Sequence, residues 1–499
     1  MINNQELTEY LLSRYKQLEQ LRAPWEKYWE EIRKYVFPSH NDLNFSDKGS
    51  DSKRRAKIFD STAPLALERF AASIDSMLTP RSQFWHSLKA SNQALNAIPE
   101  VKIWFEQVTD LLFQKRYLPC ANFASQQHEV YLSLGAFGTS CLFVEEGKDN
   151  ELNYRAIPLS NIYLAENNHG KIDTIFRKFS LTARQSAKQW PNLVLPDKIR
   201  TAIKENPEQS FNFLHCVFPF SEISTAKNDY ISVYLALEDK EIIETGNYKS
   251  FPYIVSRYLT ISGEIYGRSP AMTVLADIKM LNEMEKTQLR AIHQQLLPPL
   301  LAPDDGLLRP ITITPGAINY GGIDSQGRVL IQPLYSGSKP EIPEAKMAQK
   351  RKIIEDAFLV NLFQMLLNDN NMTATEILKR TQEKAMLIAP MLYRQQSENL
   401  GPLIARELDI LADLDVFPAI PEILVTYNAD FTIIYDSPID HLQQAHKAEG
   451  LQNTLLTLTP FINANPSILN IFDVYAIIQQ LSEIYGMPQT MLKPKDLVV

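Results

Sequence analysis

The side chains of this chain best placed to do chemistry are cations set along two helical stretches. Lys346, Lys350, Arg351 and Lys352 open one stretch, and Lys279, Lys286, Arg290 and His293 run along the other. Cations spaced in this way contact phosphates without reading bases. They also describe a solvated helix face, the ordinary meaning of such a pattern in one chain. Arg54, Arg55 and Lys57 form a third cluster, read as an intersubunit or loop-anchoring element. The eight histidines are scattered; His441 and His446, the closest pair, do not share a helix face as i, i+4 metal ligands would. Asp436 and Asp440 flank Ser437-Pro438 and suit a turn with helix N-capping better than paired-carboxylate catalysis. No GxxxxGK[ST], GxGxxG or GxSxG motif occurs. The run from Gly263 to Ser269 lacks the lysine of a phosphate loop and opens a helix in the ordinary way. No catalytic activity, cofactor or metal is expected.

Two long helices must carry the cations. Ser269 as N-cap and Pro270 at the first helical position start one. Leu275, Ile278, Leu281, Leu289, Ile292 and Leu296 then recur at three-to-four spacing until Pro298-Pro299. Residues 300–344 are short β-like pieces punctuated by proline and glycine. The second helix is expected from Ala345 to about Leu366, with Ile354, Phe358, Leu362 and Met365 on one face. From Ala345 to Ala389 there is neither proline nor glycine. That run is nevertheless broken at Asn368-Asp369-Asn370-Asn371, whose side chains compete with helix hydrogen bonds. Thr373 at the N-cap and Glu376 at N3 supply a capping box that restarts the helix. A helix stopped and restarted in this way presents a loop to something. The restarted helix is expected to bend at Pro390 and break near Gly401-Pro402.

The whole chain of 499 residues suggests two to four domains. Gln5 to Phe37 reads as a helix with Trp25, Tyr28, Trp29, Ile32 and Val36 on one face, a core stripe rather than a stacking platform. Another helix begins near Ser61-Thr62 and buries Leu67, Phe70, Ile74, Met77 and Leu78; further helices fit about 97–116 and 121–136. Strand signals dominate from Thr139 to Ile261, interrupted by a short helix at about 182–205. A strand at 431–438 and two helices (about 440–462 and 467–485) finish the chain. The fold class is therefore α+β, predominantly helical. The net charge of −8 argues against free-standing sequence-specific DNA binding. Cys120, Cys141 and Cys216 show no metal-site or disulfide spacing and fit a reducing compartment. No signal peptide and no apolar run of transmembrane length is seen, so a soluble, cytoplasmically made protein is expected.

Four stretches, in order, resemble the head-to-tail connector (portal) proteins of short-tailed bacteriophages. They are Trp29 to Pro38 (WEEIRKYVFP); Ile58 to Ala63 continued by LERFAASIDSMLTPRSQFWHSL; Tyr266 to Ala271 with DIKMLNEMEK; and Met372 to Ile377 followed later by YDSPI. The resemblance implies a wing (1–265), stem helix 1 (266–297), a small β clip (298–344) and stem helix 2 (345–366). It further implies a channel loop (367–373), a long kinked helix and return strand (374–440), and C-terminal helices (441–499) forming a short crown. The channel loop would carry Asn368, Asp369, Asn370 and Asn371, with Thr373 and Glu376 capping the restart. Lys346, Lys350, Arg351, Lys352, Lys279, Lys286 and Arg290 would be candidate phosphate contacts.

What the family implies for function is a ring of this chain, usually of twelve subunits, at one capsid vertex. Double-stranded DNA would pass through it without sequence specificity, during packaging and ejection. A separate ATP-driven motor (terminase), a tail adaptor, scaffold and major capsid proteins would be its partners, with no membrane. It would reside in the virion and, during assembly, the host cytoplasm. A mildly acidic subunit makes a strongly acidic annulus when repeated, which would keep DNA from adhering. The alternatives are a nucleic-acid-processing enzyme, against which the missing metal-ligand spacing counts, and another phage ring component such as an adaptor or scaffold.

Overall fold

The computed structural model describes residues 4–38, 58–147, 151–222, 230–301, 318, 323, 325–334, 341–361, 388–427, 430–435 and single positions between 450 and 482. Among these, the first element is α1 (Asn4–Tyr35), followed by α2 (Thr62–Leu78), β1 (His86–Ala90), α3 (Pro99–Arg116) and α4 (Phe123–Phe137). Eight strands and two short helices then build the body: β2 (Thr139–Glu146), β3 (Leu152–Ala156), β4 (Ile162–Glu166), β5 (Ile172–Thr182), α5 (Ala183–Gln189), α6 (Asp197–Glu205), β6 (Ser210–Pro219), β7 (Tyr230–Ala236), β8 (Glu241–Tyr248) and β9 (Tyr253–Arg257). The expected single helix at 182–205 is two, because Pro191 and Pro196 lie in the turn that separates them.

All pairings are antiparallel. The order β4-β5-β6-β7-β8 makes one open sheet, and β3-β2-β9 a second. Alternation along β6 explains how the larger sheet is covered on both faces. Phe211 and Phe213 face α5 and α6, where Trp190, Leu195 and Ile199 pack. Leu214, Cys216 and Phe218 face the first half of α1, where Leu11, Tyr15 and Leu18 pack at helical spacing. The second half of α1 joins the main core through Trp29, Ile32 and Val36, with Trp25 and Tyr28 half-buried beside them. Arg22 fastens α1 between the two cores. Its Nη1 donates to the carbonyls of Ser160 (2.8 Å) and Ile162 (2.7 Å), and its guanidinium lies 3.8 Å from the Tyr163 ring centroid. A lysine could not match that fork of donors.

The strand Phe431–Tyr435, here β12, pairs with β1, register His86↔Tyr435 to Ala90↔Phe431. It was expected as a strand, but β1 was not, since its partner lies more than 300 residues away in sequence. The restarted helix is helical over 388–413, with a π turn at Gln396–Leu400 leading into α9 (Gly401–Asp413). The expected interruption at Gly401-Pro402 is this π turn: Gly401 N–H reaches back to the Gln396 carbonyl, so the amide missing at Pro402 breaks nothing. Glu407 on α9 is fully buried against Arg116 of α3. Two bonds join them, Nε–Oε1 at 2.9 Å and Nη2–Oε2 at 2.5 Å, and Tyr154 donates to Oε1 at 2.5 Å. Arg116 Nη2 also lies 3.0 Å from His86 Nε2, which makes that nitrogen an acceptor and the ring neutral.

Burial, with Arg116 beside it, pushes the His86 pKa well below the ordinary value; burial, with Arg177 nearby, does the same to His215. His215 sits between the Tyr253 hydroxyl (2.6 Å) and Ser232 Oγ (2.9 Å). Both rings stay neutral when folded but take up protons below about pH 6.5 when unfolded, so the stability they allow is complete at neutral pH and falls as pH drops. Burial raises the pKa of Glu145 and Asp110, which act in the opposite sense. Thermal unfolding followed from pH 7.5 to 5 should therefore show a falling midpoint. His215→Asn should flatten that slope by up to about 1.4 kcal/mol per pH unit; an unchanged slope would show that this histidine does not titrate on unfolding.

Candidate functional site

Two antiparallel helices leave the body together: α7 (Pro270–Leu296) and α8 (Glu341–Ala357). At their far end β10 (Leu300–Leu301) pairs with β11 (Gln332–Pro333), and Ile323 bridges to Val329. Helix, small β insert and helix thus occur in the expected order. The root of α7 is built with little slack. Ser269 Oγ accepts from Met272 N–H at 3.0 Å and donates to the Ala136 carbonyl at 2.7 Å. Gly267 N–H donates to Thr139 Oγ1 at 2.8 Å. Gly138, at φ +75°, ends α4 against this segment, and a Cβ on Gly267 would come within 2.2 Å of the Gly138 carbonyl oxygen. The glycine-containing run before α7 therefore serves close backbone approach, not phosphate binding.

Core contacts hold the proximal half of the hairpin. Leu275, Ile278 and Leu281 of α7 and Met347 and Ile354 of α8 are buried in the main core. The second helix is not continuous towards its expected end near Leu366: its first segment closes at Ala357, Leu359 adopts φ +59°, Val360 and Asn361 are helical again, and residues 362–366 lie outside the described residues. Phe358 and Val360, two residues apart, are both buried; on a continuous helix they would point to nearly opposite sides. The left-handed residue costs about 1–2 kcal/mol, which burying Val360 offsets at about 1.5–3 kcal/mol. Asn361 Nδ2 then ties back to Asp356 Oδ1 at 2.7 Å. Phe358 docks on Phe70 of α2, ring centroids 6.2 Å apart.

The distal half differs. Asn282 is the last buried residue of α7; beyond it, from Glu283 to Leu296, roughly 20 Å of helix, Met284 still packs against the core but no residue is buried. Leu289, Ile292, Leu296 and Leu297 are exposed there, the last two at 74% and 70%, as are Leu301, Ile323, Val329 and Leu334 of the insert.

The candidate cations divide into two sets. Lys350 pairs with Asp277 at 2.6 Å, Lys279 with Glu31 at 2.5 Å, Lys286 with Glu283 at 2.9 Å, and Arg351 with Asp60 at 2.9 Å and Glu285 at 3.2 Å. Lys346, Lys352 and Arg290 are exposed, with no acidic partner among the described residues. Sequence spacing shows only the i,i+3 pair Lys286–Glu283, because Asp60 and Glu31 come from elements far away in the chain and Asp277 and Glu285 pair across to the facing helix.

Asn368, Asp369, Asn370, Asn371, Thr373 and Glu376 lie outside the described residues, as do Arg54, Arg55, Lys57, Asp436, Asp440, His441 and His446. The body offers no better centre. His215, Ser232 and Tyr253 form a hydrogen-bonded set, but all are buried side chains within the sheets. Among the described residues, no group of three His, Cys, Asp or Glu could hold a metal ion, and no helix is long and apolar enough to cross a membrane.

Known proteins are similar to this chain over nearly its whole length. The family model described as bacteriophage head to tail connecting protein matches residues 8–492. The chain is 27% identical to the "Probable portal protein" of Bordetella phage BPP-1, across 98% of this chain and 89% of that protein. It is 28% identical to the "Portal protein" of Salmonella phage epsilon15, with the same coverage of each.

The root makes a direct test. Gly267→Ala should destabilise the protein by about 1–3 kcal/mol through the forced clash, read as a lowered thermal midpoint. Gly263→Ala, with open space around it but φ +86°, should cost about 1 kcal/mol. Equal effects would mean that the close approach at Gly267 is not a constraint.

Proposed function

The chain belongs to the family of bacteriophage head to tail connecting proteins, and on that premise we propose that it is the portal of a phage capsid. Copies of the chain form a ring at one vertex, through which double-stranded DNA enters and leaves the head and to which the tail attaches. The role is structural and non-enzymatic, and a separate ATP-driven motor moves the DNA. The observation that carries the reading is the breadth of the match: family and relatives align through the body, the helix–insert–helix hairpin and the C-terminal region alike.

In this reading α7 and α8 are the stem and residues 298–344 the clip. The clip meets the packaging motor and later the tail adaptor; scaffold and major capsid proteins meet the wing. Residues 367–373 project into the channel, Thr373 and Glu376 cap the helix that follows, and the C-terminal helices make a short crown. The apolar residues left exposed along distal α7 suit a ring, because identical neighbours can cover them. Twelve subunits are proposed from the family habit.

The division among the cations refines which of them would meet DNA. Lys350, Lys279, Lys286 and Arg351 are held by carboxylates, and breaking those pairs would disturb the stem itself. Lys346, Lys352 and Arg290 are the ones available for transient phosphate contact.

Negative-stain images of the purified protein should show flat rings with an axial hole; monomers or filaments at high concentration would overturn the portal reading. Within intact rings, Lys346→Glu, Lys352→Glu and Arg290→Glu together should lower the amount of DNA packaged or retained. Packaging at the unaltered level would remove these three from the channel wall.

A further inference from the structure

The level at which the stem leaves the body coincides with a polar node contributed by a third element. Ile58 to Ser61, just before α2, crosses both stem helices. The Phe59 N–H donates to Asn282 Oδ1 of α7 at 2.7 Å, and the Asp60 N–H approaches the same oxygen at 3.4 Å. The Asp60 carboxylate turns the other way: Oδ2 accepts from Arg351 Nε of α8 at 2.9 Å, while Oδ1 accepts from Thr62 N–H at 2.8 Å. Arg351 Nη2 closes the circuit onto Glu285 of α7 at 3.2 Å. Asp60 is 7% exposed and Arg351 36%, so the carboxylate is sheltered while its partner remains open to water.

We propose that this strap is a releasable latch that sets how far the distal stem can swing from the body. That these helices form a stem rests on the reading above; the latch itself does not. Three features support it. The node sits at Asn282, the last buried residue of α7, so among the described residues the helix beyond it keeps only the part-buried Met284 against the core and its pairing with α8. The apolar seam above it is non-directional and tolerates sliding, whereas hydrogen bonds and ion pairs fix one register. The strap is also covalently separate from the hairpin, so it can let go without either helix unfolding. Meanwhile Ser269 and Gly267 keep the root seated, which makes the Asn282 level the pivot.

The test is amide hydrogen exchange on the full-length protein. Asp60→Asn keeps the oxygen that caps α2 but removes the charge facing Arg351, and Arg351→Met removes the donor. Each should speed exchange at 283–296 and 345–357 by about tenfold, a local opening, while 139–146 and 213–218 are unchanged. The double variant should exchange no faster than either single one. Unchanged exchange in the stem would overturn the latch. So would equal acceleration in the strands, which signals general destabilisation, or additive effects, which signal two unrelated contacts. The measurement needs neither DNA nor capsid, so its failure leaves the portal reading standing, and failure to form rings leaves the latch measurable.

Discussion

The contact between Gly138 and Gly267 is the constraint on which the rest of the architecture depends. Two backbones meet there too closely for any side chain, one ending α4 and the other leading into α7. Because peptide groups rather than side chains set the spacing, the direction in which α7 departs is fixed by covalent geometry and a few hydrogen bonds. The neighbouring sheet β3-β2-β9 enters the same junction through Thr139 and through Tyr258 N–H, which donates to the Gly138 carbonyl at 2.9 Å. Layers that bury most of the apolar surface are thus referenced to the point where the hairpin begins.

Charge is used differently in the body and along the hairpin. In the body, Arg116 and Glu407 are fully buried and bonded to each other, to Tyr154 and to His86, while Arg116 Nη1 has no hydrogen-bond partner among the described residues. Such a pair adds little net stability over an apolar one, but it is costly to break and so enforces one way of joining α3 to α9. Arg257 is similarly enclosed, reaching Glu398 at 2.9 Å and also Glu166. Along the hairpin the pairs are part-exposed, where each contributes at most about 1 kcal/mol and weakens with salt. Rigid joins therefore lie within the body and adjustable ones along the hairpin.

Much of this was legible in the sequence because it was written in local rules. Ser269-Pro270 announced α7 to the residue, and β-branched alternation placed most strands. The features that escaped reading depend on distant partners. β1 has a short, mixed pattern and becomes a strand through β12. The end of α8 at Ala357 follows from burying both Phe358 and Val360, a demand of the core that helix propensity does not express. Ion pairing of the hairpin cations was mostly hidden for the same reason, since the carboxylates come from α1, from the strap and from the facing helix, and only the i,i+3 pair Lys286–Glu283 is local. The expected loop at Asn368 to Asn371 rests on the composition of the break and on the family's layout.

The free half of α7 also has a mechanical meaning. Anchored in the core at one end and leaning over its last roughly 20 Å on α8, to which Arg351 ties it through Glu285, it behaves as a cantilever. A rotation of about 3° at its support carries the tip through about 1 Å, enough to exchange one side-chain contact for another. The body gives that end little bracing, because Leu296 and Leu297 at the tip are mostly exposed. In the proposed ring, stiffness in this part of the molecule would come from neighbouring subunits and would change with whatever those neighbours grip.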